Sequence, residues 1–318
     1  MPIEYDKCIL MNEALDLFFD TRDVSKFFIK FYESLDMKYR TLTPLERNDL
    51  MKHISFKIGI DTKNVKDPNR TETWFKGWEE NLDMFRSTKS IDAITPKFLR
   101  PNNPVRFNGD YIIPSSQFFE RDMSKLFQIF IYDNILIKHG ISNVYEFGCG
   151  SGFNLLFLVE NYNSIISNLS MVGLDYVQSS VDLINELGSH YEYDLVGEFF
   201  DMKNPNYSFK IKEKSCVFTA CALEQLGEDF VEFIDYLVEQ SPSFCFHLEP
   251  ILENYDPNDD FDKPAIKFHE KRGYLKGLKT YLHNLEKCGI ISIEFDRRFK
   301  FGSLFHEGYQ LIIWRINE

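Results

Sequence analysis

The chain has 318 residues, 44% of them hydrophobic and 16% aromatic, with 31 Phe and a formal net charge of −13. That length supplies two domains or one elaborated domain with an ample core. The acidic balance argues against a nucleic-acid duplex or an anionic membrane as partner, because phosphate binding needs a basic surface.

Residues 1–104 are predicted to form a helical N-terminal domain. Ala14, Leu15, Leu17, Phe18 and Phe19 make one apolar stripe, and Val24, Phe27, Phe28, Phe31 and Leu35 make a second at helical spacing. Thr43-Pro44-Leu45-Glu46 has the form of a helix start, with Thr43 as cap and Glu46 at the third position. The pattern breaks into a loop at Asp67-Pro68-Asn69 and resumes with Trp74, Trp78, Leu82 and Phe85. Residues 105–140 are expected to hold a β-hairpin and a connecting helix. The hairpin segment, opened by Pro101, Asn102 and Asn103, alternates polar and apolar residues around Asn108-Gly109, a strong turn signal. It is read as a lid that brings Arg106 and Tyr111 near substrate, the alternative being a hairpin that only packs the N-terminal domain. Phe118 to Leu136 follows as a helix.

Residues 141–318 carry the most specific signal. Val144 to Phe147 is a short apolar run containing Glu146, and it passes directly into Gly148-Cys149-Gly150-Ser151-Gly152 and then a helix beginning near Phe153. Such a strand–turn–helix lets a ligand lie against the backbone, with the helix N-terminus facing it. Alone, the turn is ambiguous between a dinucleotide and a nucleoside. The third glycine comes one residue early for G-x-G-x-x-G, and Phe153 stands where that pattern wants Gly or Ala.

The stretch E-F-G-C-G-S-G-F-N resembles motif I of the class I S-adenosylmethionine (SAM)-dependent methyltransferases, and the resemblance continues in order along roughly the last 175 residues. Met171 to Asp175 matches a second strand with an acidic end, Gly197 to Met202 a third strand and its adenine loop, and Ser215 to Ala220 a fourth. Phe244 to Pro250 matches a fifth, and Ile290–Phe295 with Tyr309–Trp314 the final antiparallel pair. The resemblance implies an α/β fold: a Rossmann-like seven-stranded methyltransferase sheet, here with a mainly helical N-terminal extension and a small β-hairpin. It implies SAM as cofactor, held by Glu146, Gly148, Gly150, Gly152, Asn154, Asp175, Tyr176, Asp201, Met202 and Thr219. Within the family, the layout is most like bacterial sugar O-methyltransferases, so a hydroxyl of a sugar or nucleotide-sugar is the expected acceptor. A SAM-binding but catalytically silent partner protein and a protein methyltransferase are the alternatives.

A hydroxyl acceptor calls for a general base near the carboxyl ends of the strands. The candidates are Glu224 after the fourth strand, His247 in the fifth, and His269 beyond it. His269 stands slightly ahead because a histidine titrates near neutral pH, while His247 in an apolar strand reads more readily as structural. Glu249 is a tentative substrate contact with Arg106 and Tyr111. No metal is expected. The ten basic residues between Lys263 and Lys300 read as a solvated face, with a landing site for an anionic substrate as the weaker alternative. The six cysteines show no C-x-x-C pair and read as reduced, and neither a leader nor a membrane-length apolar run is recognised, so a cytoplasmic location is expected. The partners expected are a small-molecule acceptor and at most a second copy of the chain as a homodimer.

Overall fold

The computed structural model describes residues 4–96, 99 and 104–317. Pro101, Asn102 and Asn103 lie outside the described residues. In chain order the elements begin β1 (Lys7–Cys8), α1 (Met11–Ala14), α2 (Lys26–Glu33), β2 (Lys38–Thr41), α3 (Pro44–Ile60), α4 (Arg70–Thr88), β3 (Val105–Phe107), β4 (Asp110–Pro114) and α5 (Phe119–Tyr132). The second half runs β5 (Asn143–Phe147), α6 (Phe153–Tyr162), β6 (Ser170–Asp175), α7 (Gln178–Tyr191), β7 (Leu195–Phe199), β8 (Ser215–Ala220), α8 (Val231–Gln240) and β9 (Phe244–Glu249). It closes with α9 (Lys263–Arg272), α10 (Leu278–Lys287), β10 (Ile291–Arg297), β11 (Phe301–Gly302) and β12 (Gln310–Ile316).

The fold is α/β, built on a seven-stranded Rossmann-like sheet of order β10-β12-β9-β8-β5-β6-β7. Strands β5 to β9 pair in parallel, and β12 and β10 add an antiparallel edge. From β5 the chain runs outward through β6 to β7, then returns to the other side of β5 as β8. That reversal opens a crevice at the carboxyl ends of β5 and β8, where open α/β sheets bind their ligands. The buried parallel strands read as continuous apolar runs, as in Ser215–Ala220, because helices cover both faces.

Local signals set several helices as the sequence predicts. The Thr43 hydroxyl accepts from the Glu46 amide and the Glu46 carboxylate accepts from the Thr43 amide, with Pro44 in the first turn of α3. The N-terminal region departs from the purely helical expectation, since β1 and β2 join a second, five-stranded antiparallel sheet of order β1-β2-β4-β3-β11. The β3–β4 hairpin is therefore no free lid. It pairs with β2 on one side and with β11, nearly 200 residues away in the chain, on the other.

Much of the Phe content goes into the seam between the two sheets. Phe18 meets Phe127 at 5.0 Å and Phe299 at 5.7 Å edge-on, and Phe19 stacks on Phe130 at 4.0 Å. Each such ring adds area burial and a quadrupole-matched contact, so elements from both ends of the chain share one core.

Candidate functional site

The crevice starts at the glycine turn. Glu146, next to last in β5, is buried, and its Oε1 accepts from Asn154 Nδ2 at 2.6 Å, while Gln128 Nε2 donates to Asn154 Oδ1 at 2.8 Å. Its Oε2 is buried without a partner. Burial pushes the Glu146 carboxyl up to about 8, against the Asn154 hydrogen bond. Gly150 has φ +53°, and a Cβ there would stand 2.6 Å from Trp78 Cζ2, so only glycine fits both the backbone and the contact.

Asp175, at the end of β6, is buried and braces this turn. Oδ2 accepts the Gly150 amide at 2.9 Å and Oδ1 the Val177 amide at 3.0 Å. Burial pushes its carboxyl up to about 6, opposed by those amides. The Ser180 hydroxyl and the Tyr176 amide act on the same carboxylate in the same sense.

Two adjoining cavities follow. The smaller, about 60 Å³, is lined by Glu146, Gly148, Gly150, Asn154, Ala220, Leu248 and Tyr309 among others. The larger, about 370 Å³, is lined by Gly148, Asp175, Tyr176, Asp201, Met202 and Gln225 among others. The common wall is Trp74, Trp78, Gly148 and Cys221. Most residues expected to hold a cofactor thus converge on one crevice.

The cover over the crevice is α4. Trp74 and Trp78 stack at 5.6 Å with 17° between their planes, and the Arg70 guanidinium lies 5.0 Å above Trp74. The helix is pinned to α7 by Arg86–Glu186 at 2.7 Å and by Ser179 donating to the Phe75 carbonyl at 3.2 Å. Trp74 Nε1 is buried and unpartnered. The sequence identifies these tryptophans as a helical face but not as the cover. Two of the chain's three Trp at i, i+4 among charged neighbours is the signal that could have found them.

Several other expectations change. Gly152 packs against Ile184 of α7 and lines neither cavity. Thr219 points inward along β8, where its hydroxyl meets His247 Nδ1 at 3.0 Å. The pleat that exposes Ala220 turns Thr219 away. His247 is buried beside Trp314, its Nε2 unpartnered, and burial holds its imidazole down to about 3. His269 lies away from the crevice, buried with Tyr255, Phe268 and Tyr274 around it, and its Nε2 meets His306 Nδ1 at 3.1 Å. Burial holds it down to about 3 as well, with Arg106 and Arg272 contributing.

Arg106 and Tyr111 are also removed from the crevice. Arg106 is fully buried, 3.3 Å from Asp262 and 3.8 Å from Glu307, with its guanidinium 3.7 Å over the Phe261 ring. Arg298 completes the cluster at 2.6 Å from each carboxylate. The Tyr111 hydroxyl donates to the Leu304 carbonyl at 3.0 Å and accepts from Arg106 at 3.3 Å. These groups lock the hairpin to α9. The basic stretch follows the same logic, for Lys263, Arg272, Lys276, Lys279, Arg297 and Arg298 each have a carboxylate partner.

Glu249 and Glu224 form a buried acidic pair. Glu249 accepts the amides of Ala222 (2.9 Å), Leu223 (3.1 Å) and Glu224 (3.3 Å), which shapes the exit from β8. Burial pushes it up to about 7, those amides opposing. The Glu224 carboxyl sits behind Gln225 and is pushed up to about 8 by burial and then by Glu249. Between the crevice cavities, Cys221 adopts φ +52°, a strained conformation for a residue with a Cβ. Among the described residues no group of three or more His, Cys, Asp or Glu gathers as a metal site, and no helix is long and apolar enough to cross a membrane.

No protein-family model matches the chain, and no curated protein matches it in sequence. Among solved structures, similarity is found to the [4+2]-cyclase SpnF, at 10% identity and TM-score 0.49 over 76% of this chain and 94% of that one. The S-adenosylhomocysteine (SAH)-bound methyltransferase PaMTH1 of Podospora anserina is similar at 12% identity and TM-score 0.44, over 88% and 100%. A SAM-dependent methyltransferase of Aquifex aeolicus is similar at 15% identity and TM-score 0.38, over 58% and 89%. At this identity and overlap such likenesses decide neither activity nor substrate.

Proposed function

We propose that this chain is a SAM-dependent methyltransferase acting on a small-molecule hydroxyl, the hydroxyl of a sugar or nucleotide-sugar being the acceptor class to test first. The observation that carries the proposal is the convergence of Glu146, Asn154, the glycine turn, Asp175 and Asp201 on one crevice at the sheet's reversal point. The residues fit the cofactor. Glu146 Oε2 is a buried acceptor with no partner, suited to an ammonium, and Trp74 Nε1 is a buried donor with no partner. Asp175 and Asp201 both line the larger cavity, where ribose hydroxyls and an adenine amino group would be read.

When bound, SAM supplies a methyl group already activated on a sulfonium. The chain's own part is to hold the acceptor in line and exclude water. Helix α4 excludes water by closing Trp74 and Trp78 over the crevice. Glu224, His247 and His269 line neither crevice cavity, so none of them stands where it would take the acceptor proton directly, and transfer is proposed to rest on positioning of the acceptor.

The test is calorimetry of SAM, SAH and NAD on the purified chain, followed by SAH release from SAM with a panel of sugars and nucleotide-sugars. NAD binding without SAM binding refutes the cofactor assignment. SAM binding with turnover only on peptides refutes the acceptor class.

A further inference from the structure

Glu146 lines the smaller cavity with only one of its two oxygens engaged. Gln128 Nε2 donates to Asn154 Oδ1, so the Asn154 amide presents its NH₂ to Glu146 Oε1. The second oxygen, Oε2, is buried and has no partner, and the residue as a whole is 1% exposed.

Nothing in this setting balances a negative charge. The titratable groups that face Glu146 are Asp175 from the end of β6, Tyr132 from α5 and Cys149 from the glycine turn. Asp175 is itself an acid, and the Tyr132 hydroxyl is buried without a partner of its own. Among the described residues no lysine, arginine or histidine acts on the Glu146 carboxyl. A buried charge without a counter-charge costs far more than a buried neutral acid, and a carboxyl avoids that cost by keeping its proton.

We infer that Glu146 is a neutral acid in the free chain and ionises only when the ammonium at the cofactor's amino-acid end meets Oε2, so that cofactor capture releases one proton to solvent. This rests on the reading of the crevice as a SAM site.

The proton count follows from the pair. Before binding, the carboxyl carries its proton and the ligand's amino group is an ammonium. In the complex a carboxylate faces that ammonium. The O–H bond at Oε2 breaks, its electron pair stays on oxygen, and the proton leaves with water. The Asn154 hydrogen bond favours the same outcome, being stronger to a carboxylate than to an acid. A carboxylate ionised beforehand would instead take up the ammonium with no proton exchange. Affinity should therefore climb with pH as long as the free carboxyl is still protonated, up to about 8, the value to which burial raises it. Asp175, raised to about 6, is ionised over most of that window and keeps the Gly150 amide.

The experiment is calorimetry of SAH on the full chain at pH 7 in phosphate and in Tris, two buffers whose different ionisation enthalpies let the heat difference count protons. Release of about 0.9 proton per SAH is expected, and Kd should fall by about eight- to tenfold between pH 6 and pH 7. Glu146→Gln, neutral at every pH, is expected to bind SAH more weakly, with no release and no change over that pH step. 5′-Methylthioadenosine has the adenosine thioether without the ammonium, and its binding to wild type should release no proton. Should Glu146→Gln fail to fold, the contrast between the two ligands on the wild-type chain carries the test. SAH binding with under about 0.2 proton released, or a folded Glu146→Gln that releases as many as wild type, overturns the inference. Carbon-detected NMR of the Glu carboxyls at pH 7, with Glu146 assigned by its loss in Glu146→Gln, needs no ligand. A carboxylate signal in the free chain overturns the inference by itself, whereas a neutral Glu146 in a chain that binds no SAH refutes the crevice reading instead.

Discussion

Gly150→Ala probes the closest contact between cover and cradle. The new Cβ would lie 2.6 Å from Trp78 Cζ2 and 2.9 Å from Cη2, and the residue would keep a φ of +53°. Two costs follow. Left-handed backbone costs an alanine about 1–2 kcal/mol more than a glycine. Overpacking against the ring adds about 1–3 kcal/mol unless Trp78 withdraws. Trp78 stacks on Trp74, which stacks under Arg70, so withdrawal disturbs the whole cover.

A double-mutant cycle with Trp78→Ala separates the two terms. In the wild-type background Gly150→Ala should cost both, or about 2–5 kcal/mol by denaturant unfolding. With Trp78 already truncated only the backbone term remains, so the coupling should fall in the range of about 1–3 kcal/mol. SAH affinity, measured by calorimetry on the same four proteins, should drop in Gly150→Ala and recover in part in the double variant. Equal costs in both backgrounds, within about 0.5 kcal/mol, would refute the placement of Trp78 on the glycine turn.

Asp175→Ala should weaken SAH by about 1–3 kcal/mol and also lower the melting temperature, because the carboxylate holds the Gly150 and Val177 amides; loss of affinity without loss of stability would contradict that bracing role. Arg106→Ala leaves Asp262 and Glu307 with Arg298 alone and should cost about 3–5 kcal/mol of stability, while SAH affinity in the folded fraction stays unchanged. Glu224→Gln, His247→Ala and His269→Ala should each change turnover by no more than a few-fold, since none of the three lines the crevice; a loss of about 10²–10⁴-fold in one of them would make that residue the base. His269 is held down to about 3, below its ordinary 6.5. The unfolded chain therefore binds the extra proton between those values, and stability is lost as pH falls below 6.5, by about 2 kcal/mol at pH 5. Urea unfolding at pH 6.5 and pH 5 should show a shallower loss in His269→Gln than in wild type, and equal losses would contradict the buried neutral assignment.

The parallel half of the molecule was legible because its signals are local. Each βα unit carries its own apolar run, strand-end carboxylate and helix, so Glu146, Asp175 and Asp201 fall into register without knowledge of any distant contact. The strand order then brings them to one crevice, since parallel strands share their carboxyl ends. Thr219 escaped for a local reason too. A fully buried strand shows no alternation in its residue types, so nothing in Ser215–Ala220 says which side chain faces the ligand.

The antiparallel sheet was not legible as a whole because the pairings that place its hairpin, β2 with β4 and β3 with β11, join segments far apart in the chain. The Asn108-Gly109 turn announces a hairpin, and the hairpin is there. What it does depends on β2 and β11, and on Asp262 and Glu307, which no pattern near residue 106 can announce. A charged side chain beside a turn ordinarily points to solvent or to a ligand. Arg106 points to neither, because two distant carboxylates, Asp262 and Glu307, which it shares with Arg298, neutralise its buried charge. His269 was misplaced by the same rule, since a histidine amid lysines looks solvated until the helix face that carries it is seen to pack on Tyr255, Phe268 and Tyr274. Glu224 was legible as a carboxylate after the fourth parallel strand, but its burial beside Glu249 and its tie through Gln225 to Arg70 come from contacts across some 150 residues of sequence, between α4 and the exit of β8, which no local pattern announces.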